Sequence, residues 1–329
     1  MSIRWPSQAM AAPAIAAMLM LTASPASQAQ SSYPAKPVRI ILPYGAGGVA
    51  DVTTRMVAQK LTDRLGENFY IDNRPGAGAI VAAKATLSYP HDGYTLFVGG
   101  NGVSISRSLF KAIPYDIVND FLPVAQLAEF EMLLATKADS TLDTIAKLVD
   151  TAKANPDKLN FGSVAIGSTQ HLSAVLFTMV TGAKASLVTF RTTPELISAI
   201  LRGDIDVGFD YSAAMRPVID SKQLKVIASS GSHPSPALPG VPLVKDSGYP
   251  DYVVTSWNAF QVAAGTPTDV IAKLNAETNA ILNLPDVQAR MAEFGLEPLI
   301  GTPEDQQARL KHDIEKWRVV IDKAGIPKE

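Results

Sequence analysis

The sequence predicts an α/β clamshell: two doubly wound lobes joined by two crossover strands. Three observations carry this. Short apolar, β-rich runs alternate with helical periodicity from Val38 to Gly100, and again from Leu159 to Ser230. Between the two series, FLPVAQLAEFEMLLATK (121–137) holds two strand-like pieces with no long helix between them, which suggests passage into another domain. YVVTSWNAFQVAA (252–264) is a long apolar strand able to cross back. The lobes are therefore expected at 36–125 plus 253–329, and at 126–252.

VRIILPY (38–44) is continuously apolar, as a strand buried on both faces would be. From Asp51 to Leu65, apolar residues at Val52, Met56, Val57, Leu61 and Leu65 fit a helix, and Gly66 stands just past its end. NFYIDN (68–73) reads as the second strand, Ile80 to Leu87 as the second helix, and YTLFVGG (94–100) as the third strand, after a turn at Asp92-Gly93. This βαβαβ start is right-handed by rule. The second series comprises LNFGS (159–163), a helix from Thr169 to Val180, SLVTF (186–190), a helix from Pro194 to Leu201, DVGFD (206–210), a short helix, and LKVIASS (224–230). HPSPALPGVP (233–242) is a proline-rich loop. Three terminal helices are predicted at Pro267–Leu282, Pro285–Phe294 and Pro303–Ala324. Thr266-Pro267 and Thr302-Pro303 fit an N-cap followed by proline at the first helical position.

The chain has 329 residues, enough for two domains, and 47% hydrophobic against 18% charged residues marks it as globular. Net charge is −2 and no basic tract appears, so nucleic acid is not an expected partner. Arg4 is the only charge before Lys36. An apolar run from Ala9 to Ala23 leads into SPASQAQ, with Ser27 and Ala29 at the small-residue positions of a signal-peptidase site. Residues 1–29 are expected to be a signal peptide cut after Ala29, which exports the chain to the periplasm. The run is shorter than the ~20 residues of a membrane-spanning helix, and Pro13 interrupts it. With no cysteine, disulfides, thiol catalysis, thiolate metal sites and a lipid-modified cysteine are all excluded.

GAGGVA (45–50) satisfies the dinucleotide fingerprint G-x-G-x-x-G/A, and Asp72 stands about where a ribose-binding acid belongs. An NAD-dependent oxidoreductase is therefore one reading. Yet glycine-freed N–H groups and a helix start hold carboxylate as readily as pyrophosphate. NRPGAGA (73–79) also follows a strand and opens a helix, and VGGNG (98–102) ends the third strand at the same edge. Ligands bind outside the carboxyl ends of parallel strands, so three such loops favour one lobe of an anion cleft. Asp51 reads as the N-cap of its helix. Asn73 and Arg74 either touch ligand or tie down their loop.

In the second lobe, GSVAIGSTQH (162–171) sets Gly162, Ser163, Gly167, Ser168 and Thr169 between a strand and a helix, with Ser168 or Thr169 as the cap. His171 reads as a packing residue. Arg191 follows a strand and is a candidate anion clamp, since guanidinium grips carboxylate at two points. Asp210 and Arg216 flank the next strand-to-helix joint. Nucleophile motifs are missing and the four histidines lack ligand spacing, so no catalytic residue, metal or cofactor is expected.

As a set, PYGAGGVAD (43–51), NRPGAG (73–78), DGYTL (92–96), NPDKLNFGSVAIGSTQHL (155–172), GDIDVGFD (203–210), SPALPGVP (235–242) and AGTP (264–267) resemble the solute-binding receptors of the tripartite tricarboxylate transporters, the Bug family. The resemblance spans nearly all of the chain after the leader. It implies a type II periplasmic-binding-protein clamshell that closes on one small carboxylate: a di- or tricarboxylate, an acidic amino acid or an aromatic acid. It also implies membrane transporter subunits as partners and a monomer as the working form; a solute sensor feeding a two-component system is an alternative. Carried over by position, Tyr44, Gly47, Gly48, Asp51, Gly76, Gly78, Ser163, Gly167, Ser168, Thr169 and Asp210 should line the cleft. The family usually has Tyr-Lys-Gly where this chain has Phe190-Arg191-Thr192, so the Arg191 side chain is expected to replace a glycine backbone contact. Gly45-Ala46 also stands where a proline is common in the family.

Overall fold

One long strand organises the molecule. In this computed structural model, which describes residues 1–3, 33–235 and 237–329, β4 runs unbroken from Phe121 to Lys137. Over Phe121–Glu131 it pairs antiparallel with β9 (Thr255–Ala263), and from Met132 onward with β7 (Val207–Tyr211) and β8 (Leu224–Ser229). The sequence suggested two pieces here; the structure makes one strand that changes partners. Register shifts at Pro123/Ala125 and Gln126/Ala128 take up the proline and break the alternation that a single strand would otherwise show.

A 10-stranded sheet extends to both sides of β4. On one side β9 leads to β3 (Thr95–Gly100), then to β1 (Val38–Leu42), then to β2 (Phe69–Asn73) at the edge. Here α1 (Val49–Leu65) and α2 (Ile80–Leu87) make the crossovers between parallel strands. On the other side β7 leads to β5 (Leu159–Val164) and β6 (Ala185–Phe190), with α5 (Thr169–Thr181) and α6 (Thr193–Arg202) as crossovers and α7 (Ser212–Asp220) following β7. The two-residue β10 (Glu297–Pro298) adds to β4. Residues 33–329 form one compact unit. The predicted leader lies almost wholly outside the described residues.

Two helices escaped the sequence reading. In α3 (Asn101–Leu109), NGVSISRSL carries buried serines where apolar residues normally mark a helix. Ser106 Oγ is satisfied by the carbonyls of Gly102 and Gly78. The other, α4 (Ile145–Ala154), is capped by Thr144, which accepts from the Lys147 N–H. Among the last helices, α8 (Thr268–Leu282), α9 (Pro285–Glu293) and α10 (Pro303–Ala324), Thr302 caps α10 in a capping box with Asp305. Thr266 does not cap α8: its hydroxyl donates to the Ala263 carbonyl, and Pro267 takes the cap position.

The cores follow the sheet. Ile40, Leu61, Phe260 and Leu274 form one cluster, while Phe97, Phe121, Trp257 and Leu310 form a second. Phe161, Phe177, Phe209 and Tyr252 build a third beyond the partner change in β4. Helix α10 joins two of them, through Leu310 and through Trp317 with Ile321. Segment 252–260 does likewise, with Tyr252 and Val254 in the third cluster, Trp257 in the second and Phe260 in the first.

Candidate functional site

A cavity of about 370 Å³ opens where strand ends from both sides of β4 meet helix starts. Residues from the first turns of five helices line it: Val49 and Ala50 of α1, Gly102 of α3, Thr169 and Gln170 of α5, Thr193 of α6, and Ala214 of α7. The first-turn N–H groups of a helix lack intrahelical acceptors and carry its positive end. Among the described residues no lysine or arginine belongs to the lining, and Asp210 is its one carboxylate. Much of the remaining wall is apolar, from Tyr44, Ile105, Phe130, Val164 and Tyr211.

The start of α1 is held open by its neighbours. Gly48 is the N-cap and has no side chain to occupy the free N–H groups, while Gly47 turns with φ 84. Asp51 is therefore not the cap that the sequence suggested. From the third helical position its Oδ2 accepts from the Gly47 N–H (2.9 Å) and Arg55 Nε (2.9 Å), and its Oδ1 from Arg55 Nη2 (3.0 Å) and Asn73 Nδ2 (2.9 Å). Asn73 Nδ2 also donates to the Tyr44 carbonyl at 3.0 Å. Burial pushes the Asp51 pKa up, but the hydrogen bonds from Arg55, Gly47 and Asn73 together hold it below the ordinary carboxylate value. Asp51 and Asn73 thus bind loop 44–48 to the end of β2.

The start of α5 is built differently. Ser168 is the N-cap and accepts the His171 N–H at 3.1 Å. His171 is buried, and its Nδ1 accepts the Gly167 N–H at 3.3 Å. Burial pushes its pKa down. A histidine kept neutral in the fold loses stability as pH falls, because only the unfolded chain takes up the proton. Melting temperature should therefore drop as pH falls through about 6.5, the unfolded value. His171→Gln should flatten that part of the curve; parallel curves for the two proteins would rule the effect out.

Tyr44 stands over α3: a Cβ at Gly102 would lie 2.8 Å from its hydroxyl. Burial raises the pKa of Tyr44, and that of Tyr211 to about 12, so both stay protonated. Phe130 packs edge-on against the Tyr211 ring at 5.0 Å. Asp210 is wholly buried, accepting from Gln170 Nε2 (3.1 Å) and the Tyr211 N–H (2.7 Å) on Oδ1, and from Thr193 Oγ1 (2.6 Å) on Oδ2. Burial pushes its pKa up.

Of the residues singled out in the sequence, Tyr44, Gly48, Gly167, Ser168, Thr169 and Asp210 line the cavity. Gly47 and Asp51 sit behind it. Gly76 and Gly78 belong to a loop packed on α3: Gly78 is pressed against Phe110 and Ser106, and its carbonyl accepts from Ser106 Oγ at 2.6 Å. Ser163 is buried within β5, in register with Thr189. Arg191 is exposed and outside the lining; its backbone N–H donates to Glu195 Oε2 at 3.0 Å. Thr192, where the family usually has glycine, caps α6. In the third glycine patch, Gly99 and Gly100 serve close strand approach, against the Gln261 side chain and the Trp257 carbonyl. Gln170, Thr193 and Tyr211 were missed although each adjoins a flagged residue; looking one position further, into the first turn after each strand, finds them.

Residues 53–326 match the model of the tripartite tricarboxylate transporter family receptor. This chain belongs to that family. BugT of Bordetella pertussis is 31% identical over 296 residues, which cover 89% of this chain and 91% of BugT. Rpa4515 of R. palustris, solved with adipate, is 30% identical with a TM-score of 0.81, covering 90% of this chain and 100% of that one. The periplasmic binding protein BugD is 28% identical with a TM-score of 0.76, over 90% of this chain and 100% of BugD. The fold is thus the α/β periplasmic-binding-protein fold, and the protein is a solute-binding receptor of a tripartite tricarboxylate transporter, not an enzyme. Membership sets aside the dinucleotide reading of Gly45–Ala50. Asp72, its ribose acid, is paired with Arg74 at 2.9 Å. Among the described residues no group of three or more His, Asp or Glu is placed to hold a metal ion.

Proposed function

We propose that this receptor captures a small carboxylate in the cavity and hands it to the membrane subunits of its transporter. The candidates are di- and tricarboxylates, acidic amino acids and aromatic acids. The supporting observation is the convergence of the α1 and α5 starts, from opposite sides of β4, on a cavity whose lining has no basic side chain. An anion there is held by backbone N–H groups and helix dipoles rather than by a cation. Gly48 and the N–H groups of Val49 and Ala50 serve one side; Ser168 and Thr169 serve the other.

Two lobes, expected from the sequence at 36–125 with 253–329 and at 126–252, close on the solute because the closed form binds it better, and we take the division within β4 between Glu131 and Met132, where its pairing passes from β9 to β7. The chain enters the periplasm after cleavage behind Ala29 and works there as a monomer. A thermal-shift screen of protein unfolded and refolded free of carried solute tests the reading, with adipate, malate, citrate, glutamate, nicotinate and NAD. Ligand at 100 times its Kd adds about 2.7 kcal/mol, which raises the melting temperature by several degrees. A rise with at least one acid and none with NAD is expected. A rise with NAD alone would overturn the proposal.

A further inference from the structure

We propose that Asp210 turns the α6–α7 side of the cavity into a hydrogen-bond acceptor pole, so that this receptor prefers carboxylates whose far end carries a donor, an ammonium or a hydroxyl, over those ending in a second carboxylate. The inference rests on the carboxylate reading above and narrows it.

Asp210 is fully buried in the cavity wall and receives the amide hydrogen of Gln170, the one hydroxyl proton of Thr193, and the backbone N–H of Tyr211. A threonine that donates its only proton offers lone pairs to anything else, and a glutamine fixed by its amide nitrogen offers its carbonyl oxygen. Both residues line the cavity. That corner is therefore poor in donors.

The helix starts divide in the same way. Asp210 is bonded to Thr193, the first residue of α6, and to Tyr211, the N-cap of α7. Their positive ends are matched by a carboxylate the protein itself supplies. The start of α1 has no such carboxylate facing the cavity, since Asp51 lies outside its lining; α5 meets Asp210 only through the Gln170 side chain, and its Ser168–Thr169 end carries no carboxylate partner. One anion pole remains for the ligand. With no lysine or arginine in the lining, a second ligand carboxylate near Asp210 meets a like charge in a poorly screened site.

The test is isothermal calorimetry with acids matched in length: hexanoate, 6-hydroxyhexanoate, 6-aminohexanoate and adipate, and the corresponding four-carbon series ending in succinate. In each series whose members bind, the wild type is expected to hold the amino or hydroxy acid at least about tenfold tighter than the diacid. Asp210→Asn, which supplies a donor and removes the charge, should erase or invert that ratio. Thr193→Val keeps the charge and removes one acceptor. It should weaken the hydroxy acid several-fold, leave the discrimination against the diacid in place, and serve if Asp210→Asn does not fold. Diacids bound more tightly than their amino and hydroxy counterparts by the wild type, or a ratio unchanged in Asp210→Asn, would overturn the proposal. Failure of the carboxylate reading looks different: no acid of either series binds, and both proposals fall together.

Discussion

Trp257→Ala should be the most damaging single change in the folded protein, lowering its unfolding free energy by about 4 kcal/mol. The indole is 1% exposed at the centre of the cluster with Phe97, Phe121 and Leu310. Truncation leaves a large void that a strand paired on both edges cannot collapse to fill. It also removes the partner of Asp313, whose Oδ2 accepts the indole N–H at 2.6 Å in a buried position. Trp257→Phe separates the two effects. It keeps most of the ring volume and leaves the Asp313 carboxylate short of a donor, which should cost about 2 kcal/mol. The damage reaches the site because Trp257 sits between Ser256 and Asn258 in the cavity lining, and its carbonyl lies against Gly100 of β3. Urea unfolding followed by circular dichroism measures both variants. A loss below about 1 kcal/mol for the alanine variant would show that the cluster repacks around the gap.

Asp51→Ala is expected to have the largest effect on binding. The substitution strands the Gly47 N–H, removes one of the Asn73 amide's two acceptors and unpairs Arg55 from its carboxylate, at a cost of about 2 kcal/mol in stability. Its larger consequence is to weaken the tie between loop 44–48 and β2, leaving the Asn73 bond to the Tyr44 carbonyl without the Asp51 bridge to Gly47 that helps set the direction of the α1 N–H groups. Carboxylate affinity should fall at least about tenfold, as expected when preorganisation is lost. The pH dependence has a definite sign. Because the pKa of Asp51 is lowered in the fold, its stabilisation is present above the unfolded value of about 3.9 and is lost as pH falls through the folded value. Melting curves of wild type and Asp51→Ala should therefore differ at neutral pH and converge in acid below that value. Affinity unchanged in the variant, measured by calorimetry at pH 7, would show that the loop holds its shape without the carboxylate.

The sequence disclosed the repeating strand-and-helix order because apolar periodicity reports burial directly. It failed where burial was achieved by other means. In α3 buried serines alternate with Val103 and Ile105, and Ser106 is satisfied by the carbonyls of Gly102 and Gly78, so the helix shows no plain apolar stripe to read. The continuity of β4 was hidden because its bulges disturb the alternation while its pairing simply changes partners. For the site, glycine loops marked the strand ends correctly, but glycine reports any close approach. At Gly78 the neighbour is Phe110, at Gly100 it is the carbonyl of Trp257, and at Gly48 it is open cavity. Only the folded chain distinguishes them. Arg191 drew attention by its charge, yet it lies outside the lining; Gln170, Thr193 and Tyr211, which do line it, bear no charge, and only Gln170 falls within a stretch the sequence marked.

The unbroken course of β4 has a mechanical consequence. Its pairing with β9 ends at Glu131 opposite Thr255, and its pairing with β7 begins at the next residue, Met132 opposite Tyr211. Twisting the ribbon between those residues turns one ladder relative to the other without unzipping either. For the proposed closure, the elastic cost would then be spread over a few backbone dihedrals instead of falling on broken ladder hydrogen bonds. In deuterated solvent, the amides of β4 on both sides of this point should exchange among the slowest in the protein, with and without ligand, while the loops around the cavity gain protection only when it is filled.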